Sequence, residues 1–169
     1  PADGATSVSR TTTIRWSTVS GASAYSLNIG TTPGGTDFLN AHNVGLATSY
    51  SIPTASALNY GSTYYVTVIP TNNIGGAIGC VSTSFSTVSL PCPGVLNPVN
   101  NVTGTSLRPT INWNAVSGVT SYKVTVGTTP GGTDIVNDLD VGNVLYYTIP
   151  TLLSPSTDYY FSVKAVQGN

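Results

Sequence analysis

Two stretches of the chain are near copies of each other: residues 14–21 read Ile-Arg-Trp-Ser-Thr-Val-Ser-Gly, and residues 111–118 read Ile-Asn-Trp-Asn-Ala-Val-Ser-Gly. The octapeptide Gly-Thr-Thr-Pro-Gly-Gly-Thr-Asp is identical at residues 30–37 and 127–134, at the same offset of 97 residues. Repetition at a fixed spacing indicates one structural unit that is encoded more than once. The chain of 169 residues is therefore predicted to contain two copies of one module.

The break between the two copies falls in a Pro-rich stretch, Leu90-Pro91-Cys92-Pro93-Gly94, with Pro98 following it. Proline restricts its own backbone, so a segment of this kind is extended and fairly stiff. We predict a first module at residues 1–90, a second module at residues 91–169, and a linker at about 89–100.

Apolar and polar residues alternate along each copy with a period of two. In the first copy, Tyr25, Leu27 and Ile29 alternate with Ser26 and Asn28. This period indicates β-strands that bury one face, and turn residues separate the runs. Seven or so short strands in about 85 to 95 residues predict a β-sandwich, so the chain is predicted to be all-β with two consecutive sandwiches. The aromatic residues predicted to lie in the two cores are Trp16, Tyr25, Trp113 and Tyr122.

Charged side chains are scarce: five Lys and Arg, six Asp and no Glu make up 7% of the chain and leave a net charge of −1. A nucleic-acid partner requires clustered cations that neutralise phosphates, and this sequence does not offer them. A polybasic membrane patch is excluded on the same ground, and no apolar run approaches the roughly 20 residues of a membrane-spanning helix. A surface rich in hydroxyls and poor in charge is typical of secreted bacterial modules, so we expect a secreted or cell-surface location.

Some spacings make the sandwich prediction more specific. Each copy has a Trp on its second strand, a Tyr on its third, and a Leu six residues before a Tyr that opens a later strand. That last spacing is met by Leu58 and Tyr64 in the first copy and by Leu153 and Tyr159 in the second. Together these features resemble the fibronectin type III module, as found in secreted, multidomain bacterial proteins. The resemblance implies that Tyr64 and Tyr159 form tyrosine corners, in which each hydroxyl bonds to the backbone near the Leu.

The two copies differ at their ends. The first has a last strand at Val81 to Val88 with Phe85 facing inward, whereas the second stops directly after its sixth strand. The second sandwich is therefore predicted to lack its last strand, which leaves Tyr159–Val166 as an unpaired edge. Two interpretations remain open: the piece was trimmed or cleaved, or the edge accepts a strand from another chain.

The cysteines, Cys80 and Cys92, flank that last strand of the first copy. About eight extended residues at roughly 3.3 Å each would hold them roughly 25 Å apart, whereas a disulfide requires Cα atoms within about 7 Å of each other. We predict no bridge between them. Either each cysteine pairs with one outside this sequence, as the strand order of the resembled fold allows, or the two are unrelated small apolar residues.

The sequence offers little for catalysis. His42 is the one imidazole, and its counterpart in the second copy is Leu139, which favours a solvent-facing position over a base or a metal ligand. The one acidic cluster is Asp134, Asp138 and Asp140, and without EF-hand order it indicates a solvated turn rather than a calcium site. We therefore expect no enzyme activity, no metal and no cofactor.

The repeated octapeptide is rich in glycine but does not fit a phosphate-binding loop, which joins a strand to a helix and has basic neighbours. It joins two predicted strands, and Pro followed by Gly suits a tight turn with positive φ. The turn glycines are Gly34 and Gly35 in the first copy and Gly131 and Gly132 in the second.

Four tyrosines are expected to face outward: Tyr60, Tyr65, Tyr146 and Tyr160. Sugar-binding modules stack exposed aromatic rings on pyranose rings, so these positions are candidates for a carbohydrate-binding or adhesive surface with a polysaccharide or a surface protein as partner. The sequence favours another function, a non-catalytic spacer, scaffold or interaction module within a larger secreted or cell-surface protein. Its partners would then be other domains of the same polypeptide.

Overall fold

The computed structural model describes residues 1–168, and residue 169, the last of the predicted second module, lies outside the described residues. The chain divides into two compact units, Pro1–Ser89 (unit 1) and Leu90–Asn169 (unit 2). Apart from one 3₁₀ turn at Thr54–Ser56, every regular element in residues 1–168 is a β-strand. The all-β prediction is confirmed. In the same residues, no helix has the length and apolar character needed to cross a bilayer.

Unit 1 is built from eight strands in two sheets. In chain order they are β1 (Ala5–Val8), β2 (Thr13–Arg15), β3 (Ala24–Gly30), β4 (Leu39–Asn43), β5 (Ser49–Ser51), β6 (Thr63–Asn72), β7 (Gly75–Gly76) and β8 (Thr83–Thr87). The larger sheet has the order β1-β8-β6-β3-β4, with β7 paired to β6, and β2 pairs with β5 in the smaller sheet. Strands β3 and β6 are central because each has a partner on both sides and alternates in burial.

The core of unit 1 takes one face from most of these strands. Alternation with a period of two sends every second side chain inward, and the intervening Ser, Thr and Asn side chains face outward. The core is apolar and contains both a corner tyrosine and an aromatic residue of the last strand. Its buried residues are Ile14, Leu27, Ile29, Ile52, Leu58, Tyr64, Val66 and Phe85.

Unit 2 has six strands in two three-stranded sheets. In chain order they are β9 (Val95–Asn97), β10 (Thr110–Trp113), β11 (Ser121–Gly127), β12 (Val136–Gly142), β13 (Tyr146–Thr148) and β14 (Tyr160–Val166). The sheet orders are β13-β10-β9 and β12-β11-β14. Strands β10 to β14 therefore repeat β2 to β6, so both units are fibronectin type III-like sandwiches. The buried residues of this core are Ile111, Trp113, Tyr122, Val124, Val126, Val136, Ile149, Leu153 and Val163.

The two repeated tryptophans differ in burial. Trp113 is 1% exposed, whereas Trp16 follows the end of β2 and is half-buried at the rim of its core. Strand β9 explains the difference, because Val95 pairs with Trp113, while β2 pairs with β5 alone in the part of the chain that the structure describes. Trp16 still packs edge-on against Tyr25, with ring centroids 5.8 Å apart. Trp16 therefore lies at the edge of the core rather than inside it.

Unit 2 has no counterpart of β8 within residues 90–168. In unit 1, β8 lies between β6 and β1, antiparallel to β6 and parallel to β1. It is also shorter than the predicted Val81 to Val88, since the strand begins at Thr83 and Val81 is exposed. In unit 2, β14 takes the place of β6 and pairs with β11 on one side only.

Candidate functional site

The corner tyrosines bond to the backbone in both units. The Tyr64 hydroxyl accepts the Asn59 N–H at 3.1 Å, and the Tyr159 hydroxyl accepts the Ser154 N–H at 2.9 Å. In each unit the tyrosine lies at or directly before the start of the sixth strand and bonds to the segment that leads into that strand, which ties the segment to the sheet. These tyrosines therefore have a structural role in both units.

The leucines of the two tyrosine corners are held by backbone hydrogen bonds to another segment of the chain. Leu58 and Leu153 are buried, and their N–H groups donate to the carbonyls of Arg10 and Leu107, at 3.1 and 2.9 Å. The two carbonyls occupy the same position in the repeat, 97 residues apart. The crossover between the sheets is thus fixed twice, by a backbone bond at the Leu and by the tyrosine hydroxyl next to it.

A second pair of tyrosine locks was not identified from the sequence. The hydroxyl of Tyr25 accepts the Val19 N–H at 2.7 Å, and that of Tyr122 accepts the Val116 N–H at 2.8 Å. Both tyrosines are buried, so each hydroxyl needs a partner, and the loop six residues earlier provides it. The signal was present in the sequence, since the Val-to-Tyr spacing is the same in both copies.

The carboxylates of the repeated octapeptide close their own turns. Asp37 accepts the backbone N–H of Thr31 at 2.9 Å and its hydroxyl at 3.0 Å, and Asp134 accepts the same two groups of Thr128 at 3.0 Å each. The Thr31 N–H is the main reason that the pKa of Asp37 lies below its usual value, and the Thr128 N–H does the same for the pKa of Asp134. These acids stabilise the turn in their ionised form.

The glycines of the octapeptide are required for two different reasons. Gly34 and Gly131 have φ of 73° and 76°, in the left-handed region that side chains disfavour. Gly35 and Gly132 have no such angle, but a Cβ there would lie 2.8 and 2.9 Å from the hydroxyl of the Thr three residues earlier. The octapeptide is therefore a compact hairpin turn with no space for a ligand inside it.

The acidic residues of unit 2, Asp134, Asp138 and Asp140, do not point their carboxylates into one common site. Asp138 accepts hydrogen bonds from Lys123 at 2.9 Å and lies 3.6 Å from the Lys164 ammonium. The hydrogen bond from Lys123 holds the pKa of Asp138 below its usual value, and the same bond raises the pKa of Lys123. Asp140 instead accepts the hydroxyl of Ser121 at 3.0 Å. Each carboxylate thus has its own partner on the strand surface.

The remaining candidates from the sequence are one histidine and two cysteines. His42 is exposed on β4 and packs edge-on against Tyr50, with ring centroids 5.2 Å apart. Cys80 of unit 1 is half-buried, Cys92 of unit 2 is exposed, and both are free thiols. Within residues 1–168, no three His, Cys, Asp or Glu side chains are grouped so that they could hold a metal ion.

The four tyrosines expected to face outward are not equivalent. Tyr146 and Tyr160 are 60% and 41% exposed, on different sheets of unit 2. Tyr60 and Tyr65 are half-buried. The Arg10 guanidinium lies over the ring of Tyr60, 4.0 Å from its centroid, and Tyr65 lies on β6 between two paired strands. In neither unit do the two rings form one exposed platform.

Unit 2 has a groove of about 480 Å³ beside the unpaired edge of β14. Its lining includes Tyr159, Tyr160 and Phe161 from one side, residues 98–102 from the other, and core side chains at its floor. The groove contains hydroxyls and amides but a single carboxylate among the described lining residues, that of Asp158. It can bind apolar and hydrogen-bonding groups, and it holds no pair of groups for acid–base or nucleophilic chemistry.

Comparisons with known proteins found similarity in structure but none in sequence families. No protein-family model matches the chain, and no curated protein matches it. The solved structures that match include the FN1-FN3 domains of chicken CNTN1, with 18% sequence identity and a TM-score of 0.38. The match covers 98% of this chain and 60% of that chain, so the chain spans less than two thirds of that structure's length.

Proposed function

We propose that the chain is a non-catalytic spacer and scaffold within a larger secreted or cell-surface protein of a bacterium. The observation that carries the proposal is the parallel pairing of the first and last strands of unit 1. Ala5 of β1 pairs with Phe85 of β8, and Val8 pairs with Thr87. Two neighbouring strands that run in the same direction bring the polypeptide into the unit at one end and out at the other.

With this arrangement, unit 1 adds distance between the segments that precede and follow it. Its longest strand, β6, has 10 residues, which at about 3.3 Å per residue spans roughly 33 Å. A domain whose ends lay side by side would add almost no distance between its neighbours. The partners of the chain would be other domains of the same polypeptide, placed before and after it.

The same pairing suits unit 1 to bear tension. The Gly4 N–H donates to the Ser84 carbonyl at 2.8 Å, and the Val88 N–H donates to the Val8 carbonyl at 2.9 Å. A force that pulls the two ends of unit 1 apart loads these bonds together along the strands. When two strands are instead separated from one end, their hydrogen bonds break one after another, so the force needed at any moment is that of a single bond.

The tyrosines support the spacer over a carbohydrate-binding or adhesive surface. Sugar binding by stacking requires exposed rings that share one face. Tyr146 and Tyr160 lie on separate sheets, and Arg10 covers the ring of Tyr60. A polysaccharide or a surface protein as partner is therefore the weaker proposal.

Single-molecule pulling on unit 1 of the 169-residue chain tests the proposal. One handle is attached at the N-terminus and the other at Ser89→Cys, with both native cysteines replaced by Ser. The matched control moves the second handle to Asn73→Cys. Asn73 is exposed and follows β6, which runs antiparallel to β8, so it lies at the same end of unit 1 as the N-terminus. We expect a higher unfolding force for the Ser89 attachment, and an equal or lower force would contradict the load-bearing role.

A binding assay tests the rival function on the same protein. We expect no retention on insoluble polysaccharides. Retention that is lost on Tyr146→Ala or Tyr160→Ala would replace the spacer with a carbohydrate-binding function. Catalytic turnover of any offered polysaccharide by the purified chain would contradict the non-catalytic role altogether.

A further inference from the structure

Within residues 1–89, the exposed large apolar side chains lie in three connections between strands. The connections are residues 16–23 between β2 and β3, residues 44–48 between β4 and β5, and residues 73–82 between β6 and β8. A single exposed apolar residue is ordinary, whereas a group of them marks an interaction surface. The residues, with their exposed fractions, are Val19 (48%), Leu46 (67%), Ile74 (91%), Ile78 (97%) and Val81 (84%).

The register of the strands places the three connections at the same end of unit 1. Ala24, at the start of β3, pairs with Thr71 near the end of β6. Ser26, also near the start of β3, pairs with Asn43 at the end of β4. The first connection leads into β3, and the other two leave β4 and β6, so all three meet there. We call this end of unit 1, with the five residues named above, the apolar end.

The connections of the apolar end are uncharged. None of the three contains Asp, Glu, Lys or Arg, whereas the connections at the opposite end of unit 1 contain Arg10 and Asp37. Arg15, in β2, precedes the first connection and is the cation nearest to it in the sequence. The apolar end can therefore leave water without the desolvation of an ion, and it has no charge pattern that would select a charged partner.

The backbone of the third connection is already hydrogen-bonded where its side chains are most exposed. The side-chain oxygen of Asn72 accepts the N–H of Ile74 at 2.9 Å and that of Gly75 at 3.3 Å. The Ala77 N–H donates to the Pro70 carbonyl at 2.9 Å. Unpaired peptide groups are costly in an apolar medium, so these internal bonds lower the cost of moving the hairpin tip out of water.

We propose that the apolar end of unit 1 binds a lipid surface, with Ile74 and its apolar neighbours inserted among the lipids. Val19 and Ile74, from two different connections, border one groove of about 310 Å³, so apolar groups of both enter together. Interfacial binding strengthens with the apolar area that is buried, and acyl chains adapt to side chains of any arrangement. Insertion of a hairpin tip requires neither a basic patch nor a membrane-spanning helix. The lipid contact goes beyond the spacer role and does not rest on it.

A second copy of the chain fits the apolar end less well. A specific protein interface buries about 800 Å² on each partner and involves roughly 20–30 residues a side. The apolar end offers five large apolar side chains on three connections. A dimer through this end would therefore need polar residues for most of its area, whereas a lipid surface sets no such minimum.

Flotation of the 169-residue chain with phosphatidylcholine vesicles tests the proposal. We expect the chain to float with the vesicles, and to do so equally when phosphatidylglycerol is added or the salt concentration is raised, because the apolar end has no basic patch. Ile74→Asp removes an apolar side chain and introduces a charge, so it is expected to weaken the partition roughly tenfold or more. The matched control is Leu152→Asp, at a residue of unit 2 that is 63% exposed, and it is expected to leave the partition unchanged.

A dye that reports the polarity of its surroundings locates the contact. It is attached at Ile74→Cys in a chain whose two native cysteines are replaced by Ser. The control carries the dye at Ala55→Cys, an exposed position in the 3₁₀ turn between β5 and β6, at the opposite end of unit 1. We expect vesicles to shift the emission of the dye at residue 74 to shorter wavelength and to leave that at residue 55 unchanged.

Several outcomes would overturn the proposal. One is the absence of flotation at millimolar lipid, and another is flotation that Ile74→Asp leaves intact. Binding to anionic vesicles alone, lost at high salt, would show an electrostatic contact instead of insertion. A dimer, or retention on an insoluble polysaccharide, that Ile74→Asp abolishes and that occurs without vesicle binding would assign the apolar end to a different partner.

Discussion

Removal of the corner hydroxyls is expected to affect the two units unequally. Tyr64→Phe deletes the oxygen that accepts the Asn59 N–H at 3.1 Å, in a side chain that is 2% exposed. Tyr159→Phe deletes the equivalent oxygen, which accepts the Ser154 N–H at 2.9 Å. Both substitutions leave the ring in place, so the packing of the two cores changes little.

The difference comes from what replaces the lost acceptor. The hydrogen bond of Tyr64 is partly buried, so water cannot fully take the place of the hydroxyl, and the loss is about 1 to 2 kcal/mol. The hydrogen bond of Tyr159 lies at the surface, where water can accept the Ser154 N–H, and the loss is about 0.5 kcal/mol. In a unit of this size, 1 kcal/mol corresponds to a shift of about 4 to 8 °C in Tm.

Urea unfolding followed by tryptophan fluorescence measures each unit separately, because each contains one tryptophan. A Trp113→Phe background reports on unit 1 through Trp16, and a Trp16→Phe background reports on unit 2 through Trp113. We expect Tyr64→Phe to lower the midpoint of unit 1 with an unchanged slope, which identifies a change in stability alone. The reasoning is refuted if Tyr159→Phe destabilises its unit as much as Tyr64→Phe does, or if neither midpoint moves.

Three other substitutions in unit 1 test its core and its octapeptide turn. Phe85→Ala empties a 3% exposed site and is expected to destabilise unit 1 by about 3 to 5 kcal/mol, measured by urea unfolding, with Ser86→Ala as the surface control. Gly30→Ala places a Cβ against the Gly35 carbonyl, so the turn must shift, and a loss of about 1 to 3 kcal/mol is expected by the same assay. Asp37 has a pKa below its usual value of 3.8, so its contribution to stability is present above pH 3.8 and is lost as the pH falls through the lower folded pKa. We therefore expect Asp37→Asn to lower the Tm of unit 1 at pH 6 and to reduce the fall in Tm from pH 4 to pH 2. An unchanged acid profile would contradict that role.

The buried faces of the two units could be predicted from the sequence because burial in a strand follows a local pattern. The alternation of Tyr25, Leu27 and Ile29 with polar residues is a property of a few consecutive residues. All three are buried in the structure, as are Val124 and Val126 in the second copy. The period of two therefore determined which face of these strands turned inward.

The exposure of the tyrosines could not be predicted in the same way. Arg10 lies over Tyr60 although 50 residues separate them, and no local pattern in the sequence indicates that contact. The partner of Asp138 in the acidic cluster could not be predicted either, because Asp138 forms an ion pair with Lys123 on the neighbouring strand. Contacts of this kind depend on which strands become neighbours.

By itself, the sequence determined the repeat, the all-β class and the inward faces of the strands, because all of these follow from spacings within or between the two copies. Only the tertiary structure decided how deeply each repeated residue is buried and where a surface stays open. Trp113 is buried because β9 pairs beside it, whereas Trp16 is only half-buried because no strand pairs with β2 on that side in the described residues. Tyr159 borders a groove because no strand covers β14 in the described residues, while β8 covers Tyr64. The same residue thus acquires a different environment when a strand from elsewhere in the chain lies next to it in one unit and not in the other.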